Sequence, residues 1–393
     1  MTHSTATAPL SAALDDFALD PGVRHLNHGS FGAVPRAALA EQRRLRHEME
    51  GDPDRWFRDL PSRVAETRAA LAHHMHTPAD TFALVANASA GVSAVLGSER
   101  LPTGSEVLLT DHAYGAVDMA ARRAAARDGA RVRVVHVPLD ADSSAVTGLM
   151  AAAMNPATSL VVVDQVTSAT ARLLPVRDIT VRAHAVGARV LVDGAHAPGL
   201  LADPLDLIGE ADYWVGNLHK WMCAPRGTAV LFARGPLTQR LFPVIDSWGA
   251  ADPFPSRFDR QGTVDLTAWL AAPRALDFIE EHYGWDAFRV GSQQLADHAQ
   301  QTLADALETQ IAPATGDQVP AMRLVPLPAG HAADQDAAHA LQRHISARTG
   351  CEIAVTTWHG QGFLRLSAHL YNTAADYSHL AEQLPRCLAD APR

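Results

Sequence analysis

Short runs of β-branched apolar residues alternate along the middle of this chain with alanine-rich stretches of helical periodicity, and this alternation limits the possible folds. Alternating strands and helices build a mostly parallel sheet that is covered by helices, an α/β architecture. Residues 160–163 and 190–192 are apolar throughout, as in strands that are buried on both faces of a sheet. Ligands of such sheets bind at the carboxyl ends of the strands, so the residues that follow each strand are candidates for chemistry.

The pattern predicts a sheet of seven strands. They are predicted at residues 82–87, 106–111, 131–139, 159–166, 189–193, 213–216 and 228–233. Helices are predicted between them, for example at residues 114–128 and 176–186.

The pattern changes after Gly262. A helical stretch over residues 266–307, interrupted near Gly284, precedes the elements of a smaller α+β unit. The strands of this unit are predicted at 322–327, 352–357 and 362–368, and its helices at 335–348 and 374–388. Because 393 residues are too many for one compact core, we expect two domains. These are a large domain at 25–265 and a small C-terminal domain at 266–393, which the N-terminal segment 1–24 joins.

Charge and cysteine content exclude several protein classes. The net charge is −10 with neutral histidines, lysine is scarce, and no basic stripe marks a nucleic-acid surface. No apolar run is long enough to span a membrane, and residues 1–9 lack a secretory signal pattern. Cys223, Cys351 and Cys387 form no disulfide framework. We therefore expect a cytoplasmic protein with reduced thiols and with no nucleic-acid or membrane partner.

Two side chains at predicted strand ends suggest cofactor chemistry. Lys220 follows a buried strand in GNLHKW (216–221), and Asp193 ends another strand. A desolvated lysine near positive groups loses its proton more easily and can attack an aldehyde, and a carboxylate can keep a pyridine ring cationic. Taken singly, Lys220 fits a surface loop and Asp193 fits a turn. Together they favour an aldehyde cofactor with a pyridine ring.

A third strand end offers an anion site. Residues 85–91 (VANASAG) follow a predicted strand and open a helix. Small residues let the backbone approach a phosphate, and a helix N-terminus favours negative charge. The glycine pattern of a nucleotide-binding fold is absent, and an ordinary helix cap would fit the same residues.

The motifs that carry chemistry are spread over nearly the whole chain. They are NHGSFG (27–32), DGAH (193–196), GNLHKW (216–221), GTVD (262–265) and RLSAHLYN (365–372). This set resembles the class V aminotransferase family, and within it the isopenicillin N epimerase-like branch. The resemblance implies pyridoxal 5′-phosphate (PLP) as the cofactor and PLP fold type I.

The resemblance also implies a role for each matching residue. Lys220 would hold the cofactor as a Schiff base, Asp193 would pair with the ring nitrogen, and His196 would lie near the phenolic oxygen. The other implied cofactor contacts are Ala88, Ser89, Ser168, Asn217 and His219. Gly262 and Thr263 look like the segment that reaches a neighbouring subunit's phosphate, which implies a homodimer with shared active sites.

The residue that stacks on the cofactor ring has two candidates in TDHAYG (110–115). A Tyr-Gly pair is typical of the branch, so we expect Tyr114 to stack and to act in catalysis, whereas related cysteine desulfurases use a histidine near His112. Arg365 is expected to bind the α-carboxylate of an amino-acid substrate through its guanidinium fork, although a surface arginine would also fit. The N-terminal segment is expected to close the site with Asn27, His28 and Ser30.

The cofactor alone does not fix the reaction, because any of three bonds at Cα of a bound amino acid can break. Residues 357–362 (TWHGQG), where cysteine desulfurases carry a catalytic cysteine, contain none, so persulfide chemistry is not expected. We expect a C–S lyase, or a related cleavage or decarboxylation of a cysteine S-conjugate in specialised metabolism. Epimerisation of an amino acid or peptide is the alternative. A non-catalytic PLP-fold binder is less favoured, because binding alone does not need the Lys220–Asp193 pair. An aminotransferase is also less favoured.

Two further features are interpreted as structural. His73, His74 and His76 resemble a metal cluster but lie at a predicted helix end, so we expect solvated surface and no metal. Cys223 is expected to pack in the core and not to act as a nucleophile.

Overall fold

The computed structural model describes residues 10–311 and 319–391. Its strands are β1 (Arg24–His25), β2 (Phe82–Val85), β3 (Glu106–Thr110), β4 (Arg131–Val135), β5 (Thr158–Asp164), β6 (Arg189–Asp193), β7 (Tyr213–Asn217), β8 (Ala229–Ala233), β9 (Met322–Pro326), β10 (Cys351–Glu352), β11 (Ala354–Trp358) and β12 (Gln361–Ser367). Its helices are α1 (His28–Phe31), α2 (Arg36–Gly51), α3 (Pro53–His74), α4 (Ala88–Ser98), α5 (Gly115–Asp128), α6 (Ser143–Ala153), α7 (Val176–Ala185), α8 (Thr267–His282), α9 (Trp285–Leu307), α10 (Gln335–Thr349) and α11 (Ala374–Ala389).

The central sheet has seven strands in the order β2-β8-β7-β6-β5-β3-β4. Neighbouring strands are parallel except at β8, which is antiparallel to both β7 and β2. Alternate residues of β5 enter different cores, since Val161 and Val163 pack on one face and Leu160 and Val162 on the other. Burial on both faces explains the unbroken apolar run of this strand. The predicted α/β fold with a mostly parallel seven-stranded sheet is confirmed.

A second sheet of three antiparallel strands has the order β11-β12-β9. Helices α9, α10 and α11 pack around it and share a separate apolar core. Strand β1 pairs in parallel with β10, and Leu26 lies in this second core, so the N-terminal segment contacts the smaller unit. Helix α8 packs against α2 and α3 instead. A domain division at 265/266 therefore stays a prediction.

Two helix boundaries show how local sequence sets the elements. Gly284 separates α8 from α9 with a φ of +73°, a left-handed conformation that favours glycine, and the predicted interruption there is confirmed. Helix α3, which the sequence analysis did not identify, begins after Asp52, whose side chain accepts a hydrogen bond from the Arg55 N–H at 3.1 Å. Pro53 occupies its first position, where a missing N–H costs nothing. None of the described helices has the length and hydropathy that a membrane span requires.

Candidate active site

A cavity of about 210 Å³ opens at one edge of the central sheet, where the carboxyl ends of β2, β3, β5, β6 and β7 meet. This is the edge at which the strand pattern predicted the chemistry. The predicted site residues that line it are Ser30, Ala88, Ser89, Tyr114, Ser168, Asp193, His196, Asn217, His219 and Lys220. The fold therefore brings together side chains that are far apart along the chain.

Lys220 is the only lysine in the sequence, and its amine lies beside the His196 ring. Lys220 Nζ and His196 Nε2 are 3.1 Å apart. Trp221 Nε1–H donates to His196 Nδ1 at 3.4 Å, which leaves the ring proton on Nε2, facing the lysine. Burial, and next the charge of Lys220, hold the pKa of His196 well below its ordinary value, so the ring is neutral. Its Nε2–H can donate only to an unprotonated lysine amine.

The electrostatics around Lys220 favour such an amine. Burial, and next the charge of Arg365, lower the pKa of Lys220 to about 8, while the Asp193 carboxylate opposes this shift. A substantial neutral fraction then exists slightly above neutral pH, and the neutral amine is the form that attacks an aldehyde or takes up a proton.

Asp193 is the last residue of β6 and is only 3% exposed. Its Oδ1 accepts a hydrogen bond from the Ala195 N–H at 2.9 Å. Burial raises the pKa of the carboxyl, and the Ala195 N–H and the Lys220 charge oppose this effect. A cation held against the carboxylate in this cavity would offset the cost of its burial.

The N-terminus of α4 offers hydrogen-bond donors to an anion. The Ala88 N–H, a predicted phosphate donor, already donates to Asn217 Oδ1 at 2.8 Å and is therefore engaged within the protein. The N–H and hydroxyl of Ser89 have no hydrogen-bond partner in the described part of the chain. His219 Nδ1–H donates to the Thr228 carbonyl oxygen at 2.9 Å, and burial lowers the pKa of the ring, so Nε2 of the neutral ring carries a lone pair and is not a donor. Ser89 is therefore the anion contact that this structure supports best, and the expected phosphate contact of His219 stays a prediction.

The two candidates for the ring-stacking residue lie in different environments. Tyr114 precedes α5, lines the cavity and is 48% exposed. His112 is buried, and its ring nitrogens lie 2.7 Å from Thr170 Oγ1 and 2.7 Å from the Val137 carbonyl oxygen. Trp358 stacks on the His112 ring with the centroids 5.0 Å apart. Because the His112 ring is engaged outside the cavity, we keep Tyr114 as the proposed stacking residue.

Arg365 on β12 approaches the cavity from the smaller unit and is 4% exposed. Its Nη1 donates to the Ser168 carbonyl oxygen at 2.7 Å, and its Nη2 donates to Ser30 Oγ at 2.8 Å and to Asn27 Oδ1 at 3.1 Å. Its Nε has no hydrogen-bond partner, and Arg365 forms no ion pair with a carboxylate among residues 10–311 and 319–391. Burial lowers the pKa of the guanidinium to about 10. A cation held only by neutral groups is suited to an anionic ligand.

Five predicted site residues do not line the cavity: Asn27 and Arg365, which lie behind its wall, and His28, Gly262 and Thr263. His28 is buried behind Lys220, with Nε2 3.0 Å from the Lys220 carbonyl oxygen and Nδ1 2.8 Å from the Tyr371 hydroxyl. It therefore supports the Lys220 main chain and does not face the cavity. Gly262 and Thr263 are exposed at the surface, and their expected role toward a second subunit stays a prediction.

Of the three histidines near the end of α3, His73 is exposed, and the other two contact separate acidic residues. His74 Nε2 lies 3.1 Å from Asp277 Oδ1, and His76 contacts Asp203. In the described ranges, the side-chain groups with metal-ligand spacing are Asp111, His136 and His359 at the surface, and His28, Cys223 and His369 in the interior. Neither group lines the cavity.

Asp164 is a cavity residue that the sequence analysis missed. It ends β5, is 3% exposed and lines the cavity beside Asp193. The signal that could have identified it is its position at the carboxyl end of a buried strand, the criterion that singled out Asp193.

Comparisons with known proteins agree with this geometry. The family model described as "Aminotransferase class-V" matches residues 55–380. An isopenicillin N epimerase of Streptomyces clavuligerus is 33% identical over 401 residues, which cover 96% of this chain and 98% of that protein. A probable chloroplastic L-cysteine desulfhydrase of Arabidopsis thaliana is 26% identical, with 94% of this chain and 84% of that protein covered.

Solved structures show the same fold. A complex between the cystine C–S lyase C-DES and its product cysteine persulfide has a TM-score of 0.80 to this chain. It is 20% identical, and 95% of this chain and 99% of that chain are covered. The Escherichia coli cysteine desulfurase CsdA has a TM-score of 0.76 at 18% identity, with 98% of this chain and 100% of that chain covered.

The donor set of the cavity fits PLP group by group. A lysine amine of lowered pKa suits the aldehyde, a buried carboxylate suits the ring nitrogen, and the free donors of Ser89 suit the phosphate. The chain thus belongs to the class V aminotransferase family, as an enzyme of PLP fold type I whose cofactor is pyridoxal 5′-phosphate.

Proposed function

We propose that this enzyme is a C–S lyase that cleaves a cysteine S-conjugate. The observation that carries the proposal is a cavity that combines a basic amine and a nearby carboxylate anchor with no thiol. The bound cofactor supplies an electron sink that weakens the bonds at Cα of an amino acid. The residues of this chain then determine how the substrate is held and which proton moves.

Arg365 is the proposed anchor for the substrate α-carboxylate. Its guanidinium is buried and is held in place by Ser168, Ser30 and Asn27, all of them neutral. A carboxylate that replaced part of these contacts would gain charge-assisted, bidentate hydrogen bonds. Ser30 and Ser168 line the cavity themselves, so the anchor lies at its wall.

Lys220 is the proposed base at Cα. Its pKa of about 8 leaves part of the amine unprotonated at working pH, and the His196 Nε2–H fixes its position. When Lys220 takes the Cα proton, the electron pair left at Cα can form a Cα=Cβ double bond while the Cβ–S bond breaks with its electron pair leaving on sulfur. Lys220 can then return the proton to the leaving sulfur. Hydrolysis of the remaining three-carbon fragment gives pyruvate and ammonia, and the sulfur leaves as a thiol.

The cysteines of the chain support elimination over persulfide transfer. Cys223, Cys351 and Cys387 are all buried and none lines the cavity. Burial raises the pKa of each thiol, which keeps it in the unreactive protonated form. A persulfide-carrying cysteine of the desulfurase type therefore has no counterpart here.

Epimerisation at Cα is the second candidate, and the 33% identity to an isopenicillin N epimerase favours it. Both reactions begin with removal of the Cα proton, so they differ only in whether the Cβ–S bond then breaks. An epimerase instead returns a proton to the opposite face of Cα. Binding without catalysis is less favoured, because it does not need the Lys220–Asp193 pair.

One experiment separates these candidates. The PLP-loaded enzyme is incubated in heavy water with a panel of cysteine S-conjugates and ordinary L-amino acids, and products are identified by mass spectrometry. A lyase releases a thiol, pyruvate and ammonia from S-substituted cysteine. Deuterium at Cα of an otherwise intact amino acid, without these products, would refute the lyase proposal and support the epimerase.

We also propose that the enzyme is a homodimer whose subunits complete each other's sites. A groove of about 660 Å³, lined in part by Val244, Ile245 and Val264, adjoins the cavity, and Ser89 lines both. These apolar side chains are exposed, as is Trp248 at 89%, and exposed apolar patches of this kind mark interfaces. Thr263 precedes Val264, in the position expected to reach a second copy.

The dimer proposal is tested by light scattering, which should give twice the chain mass. Ile245→Asp places a charge in the groove and should yield a monomer that binds PLP poorly. The control Val181→Asp changes an exposed valine on α7 and should leave the dimer intact. A wild-type monomer with full activity would refute the shared site.

A further inference from the structure

The carboxyl groups of Asp164 and Asp193 are held next to each other by the sheet. They end β5 and β6 and are register partners, on parallel strands that lie about 4.8 Å apart. Register partners point to the same face of a sheet, and both residues line the cavity. Each is 3% exposed. The backbone therefore fixes two acidic groups side by side where little water can separate their charges.

The charged groups that face this pair compensate for one negative charge at most. Lys220 acts on Asp193, whereas the neighbouring His196 is neutral. On the other side, toward β3, Tyr114 offers a main-chain N–H and a phenol, neither of them cationic. Arg365 of the smaller unit bonds to Ser168, Ser30 and Asn27 and to neither carboxyl group. In the described ranges, no arginine, lysine or histidine forms an ion pair with Asp164.

We propose that Asp164 and Asp193 share a single proton in the cofactor-free protein, and that Asp164 keeps it when the ring nitrogen of PLP pairs with Asp193. Only the second half rests on the proposed cofactor contact of Asp193. Two carboxyl groups that share a site cannot both ionise readily, and one of them takes a strongly raised pKa. Burial, and next the charge of Asp193, raise the pKa of Asp164 well above its usual range. A protonated Asp164 can donate a hydrogen bond to Asp193, which makes it a positioning residue.

The variant Asp164→Asn tests the shared proton in the cofactor-free protein, because it keeps the shape and removes the titrating group. A carboxyl whose pKa is raised by folding contributes stability that is complete below its unfolded pKa of about 3.9 and is lost as pH rises through its folded pKa. Wild-type protein should therefore lose stability with rising pH, and Asp164→Asn should lose less. At pH 8 we expect the variant's Tm to lie above that of wild type by about 2–4 °C.

The control Asp178→Asn removes an exposed carboxylate on α7 and should follow the wild-type profile. A carboxylic-acid band in the infrared spectrum of the cofactor-free protein at neutral pH, present in wild type and lost in Asp164→Asn, should report the proton directly. Identical stability profiles for wild type and Asp164→Asn, or a variant that is less stable at pH 8, would overturn the shared proton.

Binding of PLP itself tests the second half of the proposal. If Asp164 is neutral in the complex, Asp164→Asn should change the Kd for PLP at pH 7 by less than about threefold, whereas Asp193→Asn, which loses the partner of the ring nitrogen, should weaken binding by at least about tenfold. Equal losses in the two variants would mean that Asp164 is ionised beside the cofactor. Failure of every form to bind PLP would overturn the assigned cofactor site and leave the stability result standing.

Discussion

The cavity and the packed layer behind it contain similar polar side chains in opposite situations. The packed layer consists of His28, Cys223, His369 and Tyr371, all buried. His28 lies between the Tyr371 hydroxyl and the Lys220 carbonyl oxygen, and its ring stacks on His369 with the centroids 3.8 Å apart. Cys223 Sγ lies 3.4 Å from His369 Nε2. Apart from His369 Nδ1, these groups find partners within the protein.

In the cavity, by contrast, buried ionisable groups are not matched by partners of opposite charge. Arg365 is a buried cation held by neutral groups, and the Lys220 amine has a lowered pKa. Asp164 has no cationic partner among the described residues and is proposed to hold a proton instead. Polar groups that have hydrogen-bond partners within the protein stabilise the fold. Buried charges without an oppositely charged partner cost stability until a ligand supplies that partner. Changes in the cavity should therefore affect function more than stability, and changes in the packed layer should do the reverse.

The largest effect is expected for Lys220→Ala, which should abolish turnover and leave the Tm close to that of wild type. Borohydride should reduce the cofactor onto Lys220 in wild type, and because the chain has no other lysine, peptide mass spectrometry should find no lysine-linked cofactor in the variant. The rate of covalent attachment should rise with pH through about 8, as the amine loses its proton. Full turnover by the variant would remove Lys220 from the mechanism.

Arg365→Lys should raise KM by about tenfold to a hundredfold with a smaller change in kcat, because lysine keeps the charge and loses the bidentate fork. The control Arg323→Lys alters a buried arginine of the adjacent strand β9, which pairs with Asp297. This control should lower the Tm and leave KM unchanged. Equal KM changes in both variants would mean that Arg365 does not contact the substrate.

Tyr371→Phe in the packed layer should cost about 1 kcal/mol of the free energy of unfolding, because the hydrogen bond to His28 Nδ1 is lost. Turnover should stay within about threefold of wild type, because this hydrogen bond does not contact the substrate and contributes equally to the ground state and the transition state. Denaturant unfolding and steady-state kinetics measure the two quantities. A large fall in kcat at unchanged stability would show that the packed layer contributes to catalysis.

The smallest effect is expected for Cys351→Ala. The Cys351 thiol is buried in β10, outside the cavity, so its loss should lower the free energy of unfolding by about 1 kcal/mol and leave turnover near normal. Loss of turnover in stable, PLP-loaded protein would mean that a persulfide forms on this cysteine after all.

Much of the cavity could be predicted because chemistry in this fold follows the strand ends. Asp193 stands directly after an apolar run and Lys220 follows a buried strand by three residues, so both are recognisable without a structure, and both line the cavity. Asp164 escaped notice because its importance depends on the register of β5 against β6, which places it beside Asp193. The position of His28 depends on the packing of the N-terminal segment behind Lys220, a contact between residues distant in the chain.

The amino-acid sequence by itself determined the α/β class, the seven strands and the residues at their carboxyl ends, because apolar periodicity and turn chemistry are local properties. Tertiary structure alone decided which of these residues meet and how their charges balance. It engaged His112 outside the cavity, put Arg365 beside Ser30 and Ser168, and set Asp164 against Asp193. The reason is physical: burial and the distance between charges control the pKa of each group, and both arise only when strands distant in sequence pair.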